Sequence, residues 1–212
     1  MKPSRRTLVR GAATVIPAQI ALTMLGTKWA FAQSADFDGP VDVLNYALTL
    51  EYLEAEFYRQ GNGAGLLEGK EAQYLEQIGA DEATHVSALT DTIMELGGTP
   101  VPAPGVDFGM AFDSRDTYLE TAFTFENLGV SAYLGAAGSL IDDPMILTAA
   151  ASIFGIEARH AAIIGMLQGK PAETGVYMGN VETPMARPAV LAAAAPFLNG
   201  APAAGGTAAA TT

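Results

Sequence analysis

Two four-residue stretches decide how this sequence folds: Glu82-Ala83-Thr84-His85 and Glu157-Ala158-Arg159-His160. They contain the two histidines of the 212-residue chain, and each places a glutamate three positions before a histidine. On an α-helix, residues three apart lie on one face, so each stretch points a carboxylate and an imidazole the same way. Two such pairs supply four of the protein ligands that a site for two metal ions requires.

The two stretches belong to an internal repeat with an offset of 75 residues. The same offset carries Glu51 onto Glu126 and Tyr58 onto Tyr133. Each half therefore reads glutamate, tyrosine seven positions later, and then Glu-x-x-His with its glutamate 31 positions after the first. A fixed offset between chemically matched residues indicates a repeat. The repeat adds two glutamates to the candidate ligands.

Neighbouring carboxylates compete with both added glutamates. Glu54 and Glu56 lie near Glu51 on the first predicted helix, and Glu120 lies near Glu126. The 75-residue offset selects Glu51 and Glu126, and Glu51 also lies on the apolar stripe of its helix. We therefore predict Glu51 and Glu126 as ligands, with Glu54 as the alternative to Glu51.

Four carboxylates directed into one helical bundle would be unstable without cations. Burying a lone charge costs several kcal/mol or more, and neighbouring carboxylates raise one another's pKa values. Two divalent cations would cancel the four charges. Tyr58 and Tyr133 allow two interpretations, as hydrogen-bond donors to the ligands or as core aromatic residues.

The sequence predicts four long helices, over about Pro40 to Gln60, Lys70 to Leu96, Ser114 to Ser139 and Asp143 to Gly169. Ser114 and Asp143 are the predicted N-caps of the third and fourth helices. Short links within each pair predict two antiparallel hairpins. The link 97–113 reaches about 50 Å when extended, farther than the roughly 37 Å of a 25-residue helix. The expected fold is all-α, a four-helix bundle with a long crossover, and a short helix is predicted over 188–196.

The first 32 residues are predicted to be an export signal. Ser4-Arg5-Arg6-Thr7-Leu8-Val9-Arg10 resembles the twin-arginine motif, an apolar stretch follows, and Ala30-Phe31-Ala32 offers a cleavage site. The alternative is a membrane anchor, but the apolar stretch is shorter than the about 20 residues of a membrane span and contains polar residues. We expect a periplasmic or secreted protein, without a membrane span in the mature chain.

Charge and composition restrict the partners. The chain has a formal net charge of −12, and the first 32 residues contain five of its eleven basic residues and no acidic one. Cleavage would leave a strongly acidic protein, which disfavours nucleic acid and anionic membranes as partners. The chain has no cysteine, so the ligands would be oxygen and imidazole, which suit iron, manganese or zinc.

The predicted organisation is a signal peptide at 1–32, one helical domain at 33–198, and a tail at 199–212. The tail is rich in alanine, glycine, proline and threonine and is expected to be disordered.

The candidate ligands resemble the dinuclear carboxylate sites of the ferritin-like superfamily, which includes ferritins, rubrerythrins and manganese catalases: Glu51, Glu82, His85, Glu126, Glu157 and His160. The closest resemblance is to exported ferritin-like domain proteins related to plant desiccation proteins. It covers about Asp36 to Leu198 and includes Leu50-Glu51-Tyr52-Leu53-Glu54-Ala55-Glu56-Phe57-Tyr58 and Ala132-Tyr133-Leu134-Gly135-Ala136-Ala137. It implies that Glu82 and Glu157 bridge two ions, that Glu51 and Glu126 are terminal ligands, and that each histidine binds one ion.

Three hypotheses follow for this candidate site. The first is an exported oxidoreductase with two Fe or Mn ions as its cofactor and O2 or peroxide as its substrate. Its six metal ligands would also be its catalytic residues. Iron would suggest a ferroxidase or peroxidase, and manganese a catalase-type reaction. The second is a non-catalytic metal-binding, desiccation or envelope stress protein, and the third is a metal-free bundle. Iron storage requires a closed cage of many subunits, which the sequence does not support. The sequence is compatible with a homo-oligomer.

Overall fold

The computed structural model describes residues 37–199, which form four long helices and one short one. These are α1 (Pro40–Gly63), α2 (Gly69–Glu95), α3 (Arg115–Ala136), α4 (Pro144–Leu167) and α5 (Arg187–Ala194). The predicted all-α architecture, including the short C-terminal helix, is confirmed. The predicted export signal and the tail from residue 200 lie outside the described residues.

Helices α1 and α2 pack as one antiparallel hairpin and α3 and α4 as the other, and α1·α3 and α2·α4 contacts join the two. Prolines begin α1 and α4, where a missing N–H breaks no helical hydrogen bond. Gly97 and Gly169 end α2 and α4 with φ angles of 76° and 65°, a conformation that glycine adopts without steric strain.

Both predicted N-cap positions are confirmed, but only one of the two side chains makes a capping hydrogen bond. The Ser114 side chain accepts a hydrogen bond from the Thr117 N–H at 3.1 Å, and the Thr117 hydroxyl accepts one from the Ser114 N–H at 3.0 Å. Asp143 stands at the N-cap position of α4 with Pro144 as the first helical residue, as predicted, but its side chain makes no capping hydrogen bond.

A small β-ribbon accompanies the bundle. Strand β1 (Gly105–Val106), within the crossover, pairs antiparallel with β2 (Leu198–Asn199) after α5. The sequence did not indicate this pairing, since two residues are too few for an alternating pattern. The ribbon anchors the crossover to the chain that follows the bundle, and it includes Asn199, the first residue of the predicted tail.

Aromatic rings fill the core between α1, α3 and the crossover. Phe57 of α1 lies with its ring centroid 5.0 Å from that of Phe125 and 5.3 Å from that of Phe108. Phe57 and Phe125 are almost fully buried. This apolar packing excludes water from one side of the bundle interior.

Helix α4 is unusually apolar. Within residues 37–199 it is the one helix long and apolar enough to cross a membrane, with a mean hydropathy of 1.3 over its most apolar window. The core helix of a soluble bundle passes the same test, so this is weak evidence for a span. Helix α4 also carries Glu157 and His160, both of which are buried between helices.

Candidate metal centre

Each long helix contributes to one buried polar cluster at the centre of the bundle. Helix α2 contributes Glu82 and His85, and α4 contributes Glu157 and His160, each pair separated by three residues. Helices α1 and α3 contribute one predicted glutamate each. The structure thus brings all six predicted site residues together. The four glutamates are 0% exposed, His160 is 3% exposed and His85 is 8% exposed.

The donor atoms form two overlapping groups. One consists of Glu51, Glu82, His85 and Glu157, and the other of Glu82, Glu126, Glu157 and His160. Within each group one ligand atom of every residue lies within 4.8 Å of the others. Glu82 and Glu157 belong to both groups. Two adjacent ions could therefore share these two carboxylates.

In both histidines, Nδ1 is the ring nitrogen that faces the carboxylates. In His85 it lies 3.0 Å from Glu82 Oε2, 3.2 Å from Glu51 Oε2 and 3.4 Å from Glu157 Oε1. In His160 it lies 2.9 Å from Glu82 Oε1 and 3.2 Å from Glu126 Oε2. A single ring N–H cannot satisfy several carboxylates, so some of these oxygens have no proton to accept.

Five buried atoms of the cluster lack a hydrogen-bond partner: Glu82 Oε1, Glu126 Oε2, both carboxylate oxygens of Glu157, and His160 Nδ1. Several of them approach one another closely, but not in hydrogen-bonding geometry. Atoms that surround a common cation have this arrangement, since each directs its lone pair at the ion and not at its neighbour. Buried polar atoms are nearly always paired, so the donor set fits a bound metal.

Burial and crowding shift the pKa values of the cluster. Burial, followed by the charges of the neighbouring glutamates, raises the pKa of Glu157 well above its ordinary value, and burial raises that of Glu82. Burial lowers the pKa of both histidines, but the surrounding carboxylates outweigh it and raise the values to about 12 for His85 and about 11 for His160. Without metal, the histidines would hold protons as counter-charges. A cation would replace those protons.

Two tyrosines fix the glutamates that come from α1 and α3. The Tyr58 hydroxyl donates a hydrogen bond to Glu126 Oε1, and the Tyr133 hydroxyl donates one of 2.5 Å to Glu51 Oε1. Each bond occupies one carboxylate oxygen and leaves the other directed toward the cluster. Of the two interpretations of these tyrosines, the structure supports the role of donors to the predicted ligands.

Asp81 contacts the cluster and was not predicted from the sequence. Its Oδ2 lies 3.2 Å from His160 Nε2, the ring nitrogen that faces away from the other carboxylates. An acceptor at that position places the ring proton on Nε2 and leaves the Nδ1 lone pair free for a metal. The repeat gave no signal for this residue, because the 75-residue offset carries Asp81 onto Ile156.

The competing glutamates occupy different environments. Glu120 is exposed and pairs with Lys170 at 3.1 Å, outside the cluster. Glu54 is 3% exposed and belongs to neither ligand group. Burial, followed by the charge of Glu157, raises the pKa of Glu54 well above its ordinary value. The offset thus selected glutamates that lie in the cluster, while Glu54 lies beside it.

Comparison with known protein families agrees with this geometry. The sequence model of the ferritin-like domain matches residues 39–170, well over half of the chain. The matched segment contains all four long helices and every residue of the cluster. No curated protein matches the chain.

Proposed function

The chain belongs to the ferritin-like domain family, and on this premise we propose that it is an exported protein with a dinuclear iron or manganese centre that reacts with dioxygen or peroxide. The proposed ligands are Glu51, Glu82, His85, Glu126, Glu157 and His160. The observation that carries the proposal is the group of five unpartnered, buried donor atoms at the centre of the bundle. Without cations, only the histidine protons would offset the buried negative charge of the glutamates.

Each proposed ligand has a defined role in holding the two ions. Glu82 and Glu157 would contact both ions, and Glu51 and Glu126 one ion each. The tyrosine hydrogen bonds orient the last two carboxylates before any ion binds, so less conformational freedom is lost on binding. When bound there, a pair of iron or manganese ions supplies redox chemistry toward dioxygen or peroxide. The surrounding apolar core keeps bulk water away from the site.

A non-catalytic metal-binding or stress-protection role is the second candidate. The burial of the proposed ligands favours this role. None of the six proposed ligands is more than 8% exposed. A substrate would reach the ions only if helices or side chains move. A structural metal requires no such access.

Metal loading followed by turnover tests the proposal and separates the two roles. The full chain, stripped of metal, is loaded anaerobically with Fe(II) or Mn(II), and bound metal per chain is measured. We expect two ions per chain, and fewer in Glu82→Gln. Glu76→Gln is the matched control, because Glu76 is on the same helix and exposed. A stripped protein that takes up neither metal would contradict the metal centre.

Peroxide consumption and Fe(II) oxidation are then measured on the loaded protein. Turnover that is lost in Glu82→Gln and retained in Glu76→Gln supports the oxidoreductase. Two bound ions without turnover support the non-catalytic role.

Export is proposed from the twin-arginine-like segment at residues 4–10. Replacing Arg5 and Arg6 together by lysine should retain full-length precursor inside the host cell. Lys28→Arg, within the same leader but outside the motif, is the control. Unchanged export of the double variant would contradict this route.

A further inference from the structure

Glu54 is a buried carboxylate that the proposed ligand set leaves without a role. It lies one helical turn after Glu51 on α1 and is 3% exposed. No hydrogen bond or ion pair joins its carboxylate to another residue in the part of the chain that the structure describes. An isolated carboxylate at this depth is costly unless a cation or proton accompanies it.

The carboxylate of Glu54 faces the same space as the second oxygen of Glu157. This space lies beside Gly129 of α3: a Cβ placed on Gly129 would overlap Glu157 Oε2 and would lie 3.5 Å from Glu54 Oε1. Glu157 Oε2 is itself buried and has no hydrogen-bond partner. Glu54 Oε1 and Glu157 Oε2, neither of which has a hydrogen-bond partner, therefore face one common space. This space is open because Gly129 has no side chain to fill it.

The internal repeat makes this arrangement one-sided. The 75-residue offset carries Glu54 onto Gly129, so α1 contributes a second carboxylate where α3 contributes no side chain. Everywhere else in the ligand set the two halves match, Glu51 with Glu126 and the two Glu-x-x-His pairs with each other. The extra carboxylate breaks the pseudo-twofold symmetry of the centre.

Glu54 also lies toward the bundle surface. It lines a small cleft between α1 and α3, together with Leu50, Leu53, Phe125, Leu128 and Gly129. The other walls of this cleft are apolar or lack a side chain. An ion near Glu54 therefore has Glu54 and the Glu157 oxygen as its nearest charged groups.

We propose that Glu54 is a seventh ligand and the fifth carboxylate donor, which binds a metal ion together with Glu157 Oε2 beside Gly129 and makes the two metal positions unequal. The proposal rests on the metal centre described under Proposed function. Because the matched position on α3 has no donor, one ion has an additional oxygen ligand and the other does not. The two ions consequently bind in separate steps with different affinities.

Titration of the stripped full chain with Mn(II) alone tests the proposal. Isothermal titration calorimetry gives the affinity of each step, and the electron paramagnetic resonance signal of free Mn(II) gives the stoichiometry. We expect two unequal steps in the native chain. Glu54→Gln should weaken one step by about tenfold or more, the range typical of lost metal-site interactions, and leave the other within about twofold.

Glu56→Gln is the matched control. Glu56 is two residues along the same helix, partly exposed, and paired with Arg59 at 2.6 Å, so its loss should leave both steps unchanged. Glu54→Asp is a second variant that keeps the charge but withdraws the carboxylate by one methylene. It should weaken the same step.

Thermal unfolding distinguishes a metal-binding role from a structural one. Glu54→Gln removes a buried carboxylate that the neighbouring glutamates destabilise, so it should raise the melting temperature of the stripped protein and reduce the increase caused by Mn(II). An equal change with and without Mn(II) indicates a structural role and overturns the proposal.

The outcomes separate this inference from the proposed function. Two Mn(II) ions bound with the same affinities in Glu54→Gln as in the native chain overturn the role of Glu54 and leave the metal centre intact. A native chain that binds neither Mn(II) nor Fe(II) overturns both.

Discussion

Tyr133 of α3 donates a hydrogen bond to Glu51 of α1, and the repeat-related pair makes the reciprocal bond, from Tyr58 of α1 to Glu126 of α3. Each tyrosine donates its hydrogen bond to the glutamate of the opposite hairpin. Both hydroxyls are buried, so neither bond competes with water. The two bonds therefore connect the hairpins at the level of the proposed metal centre.

Removing one of these hydroxyls should weaken metal binding. In Tyr133→Phe the carboxylate of Glu51 loses its donor and its fixed orientation, and we expect Mn(II) affinity to fall by about tenfold or more. Calorimetric titration measures the change. Tyr74→Phe, at a tyrosine 45% exposed on α2, is the control and should bind as the native chain does. Equal affinities in the native chain and Tyr133→Phe would show that the hydroxyl only fills the core.

Asp81→Asn should weaken binding through His160. An asparagine can present its NH2 group to Nε2 and so favour the tautomer whose proton occupies Nδ1, the nitrogen that faces the carboxylates. We expect an affinity loss of about 10- to 100-fold, with unfolding of the stripped protein little changed. Asp91→Asn, exposed on the same helix, is the control. An unaltered Mn(II) titration of Asp81→Asn would contradict this role.

The stripped protein should lose stability as pH rises. Burial lowers the pKa of each histidine, but the surrounding carboxylates raise the values to about 12 for His85 and about 11 for His160. The folded protein thus retains protons that the unfolded chain releases above about pH 6.5. This contribution to stability is complete below that pH and is lost as the pH rises toward the folded pKa values.

Thermal unfolding after EDTA treatment, between about pH 6 and about pH 9, measures this dependence. The melting temperature should decrease over the range. Mn(II)-loaded protein should not show this decrease, since the ions replace the protons and bind more tightly once the histidines are neutral. A melting temperature of the stripped protein that is constant or rises with pH would contradict the prediction.

Metal should stabilise the fold. Free Mn(II) at 100 times its dissociation constant should add about 2.7 kcal/mol for each independent site to the free energy of unfolding. Replacing His85 and His160 together by glutamine should remove most of the effect, and EDTA should reverse it in the native chain. Stability unaffected by Mn(II) or EDTA in both proteins would favour the metal-free bundle.

Gly129→Ala should disturb the centre sterically. The new Cβ would overlap Glu157 Oε2, so the carboxylate must move or the helices must separate. We expect a loss of about 1–3 kcal/mol in the free energy of unfolding, and weaker Mn(II) binding. Gly155→Ala on α4 is the control, because its Cβ would meet only the end of the Arg159 side chain at 3.4 Å. That change should be neutral or stabilising by up to about 1 kcal/mol.

Several features were predictable because they depend on local chain properties. The Glu-x-x-His spacing fixes which side chains share a helix face, and the repeat identified Glu51 and Glu126 among competing glutamates. Glycines and prolines marked the helix ends to within a few residues. Asp143 occupies its predicted N-cap position without a capping hydrogen bond, because residue type alone does not determine whether a side chain turns back onto its helix.

By itself, the sequence determined the four helices, their pairing into hairpins and the six side chains that converge, since helical periodicity and link length are encoded along the chain. Tertiary structure alone decided that Asp81 reaches His160 across the bundle, that Tyr58 and Tyr133 bond to glutamates of the opposite hairpin, and that Gly129 leaves room between Glu54 and Glu157. These relationships depend on how far apart the helices pack and how each is rotated about its axis. Both quantities are set by side-chain packing over the whole interface, which no single stretch of sequence specifies.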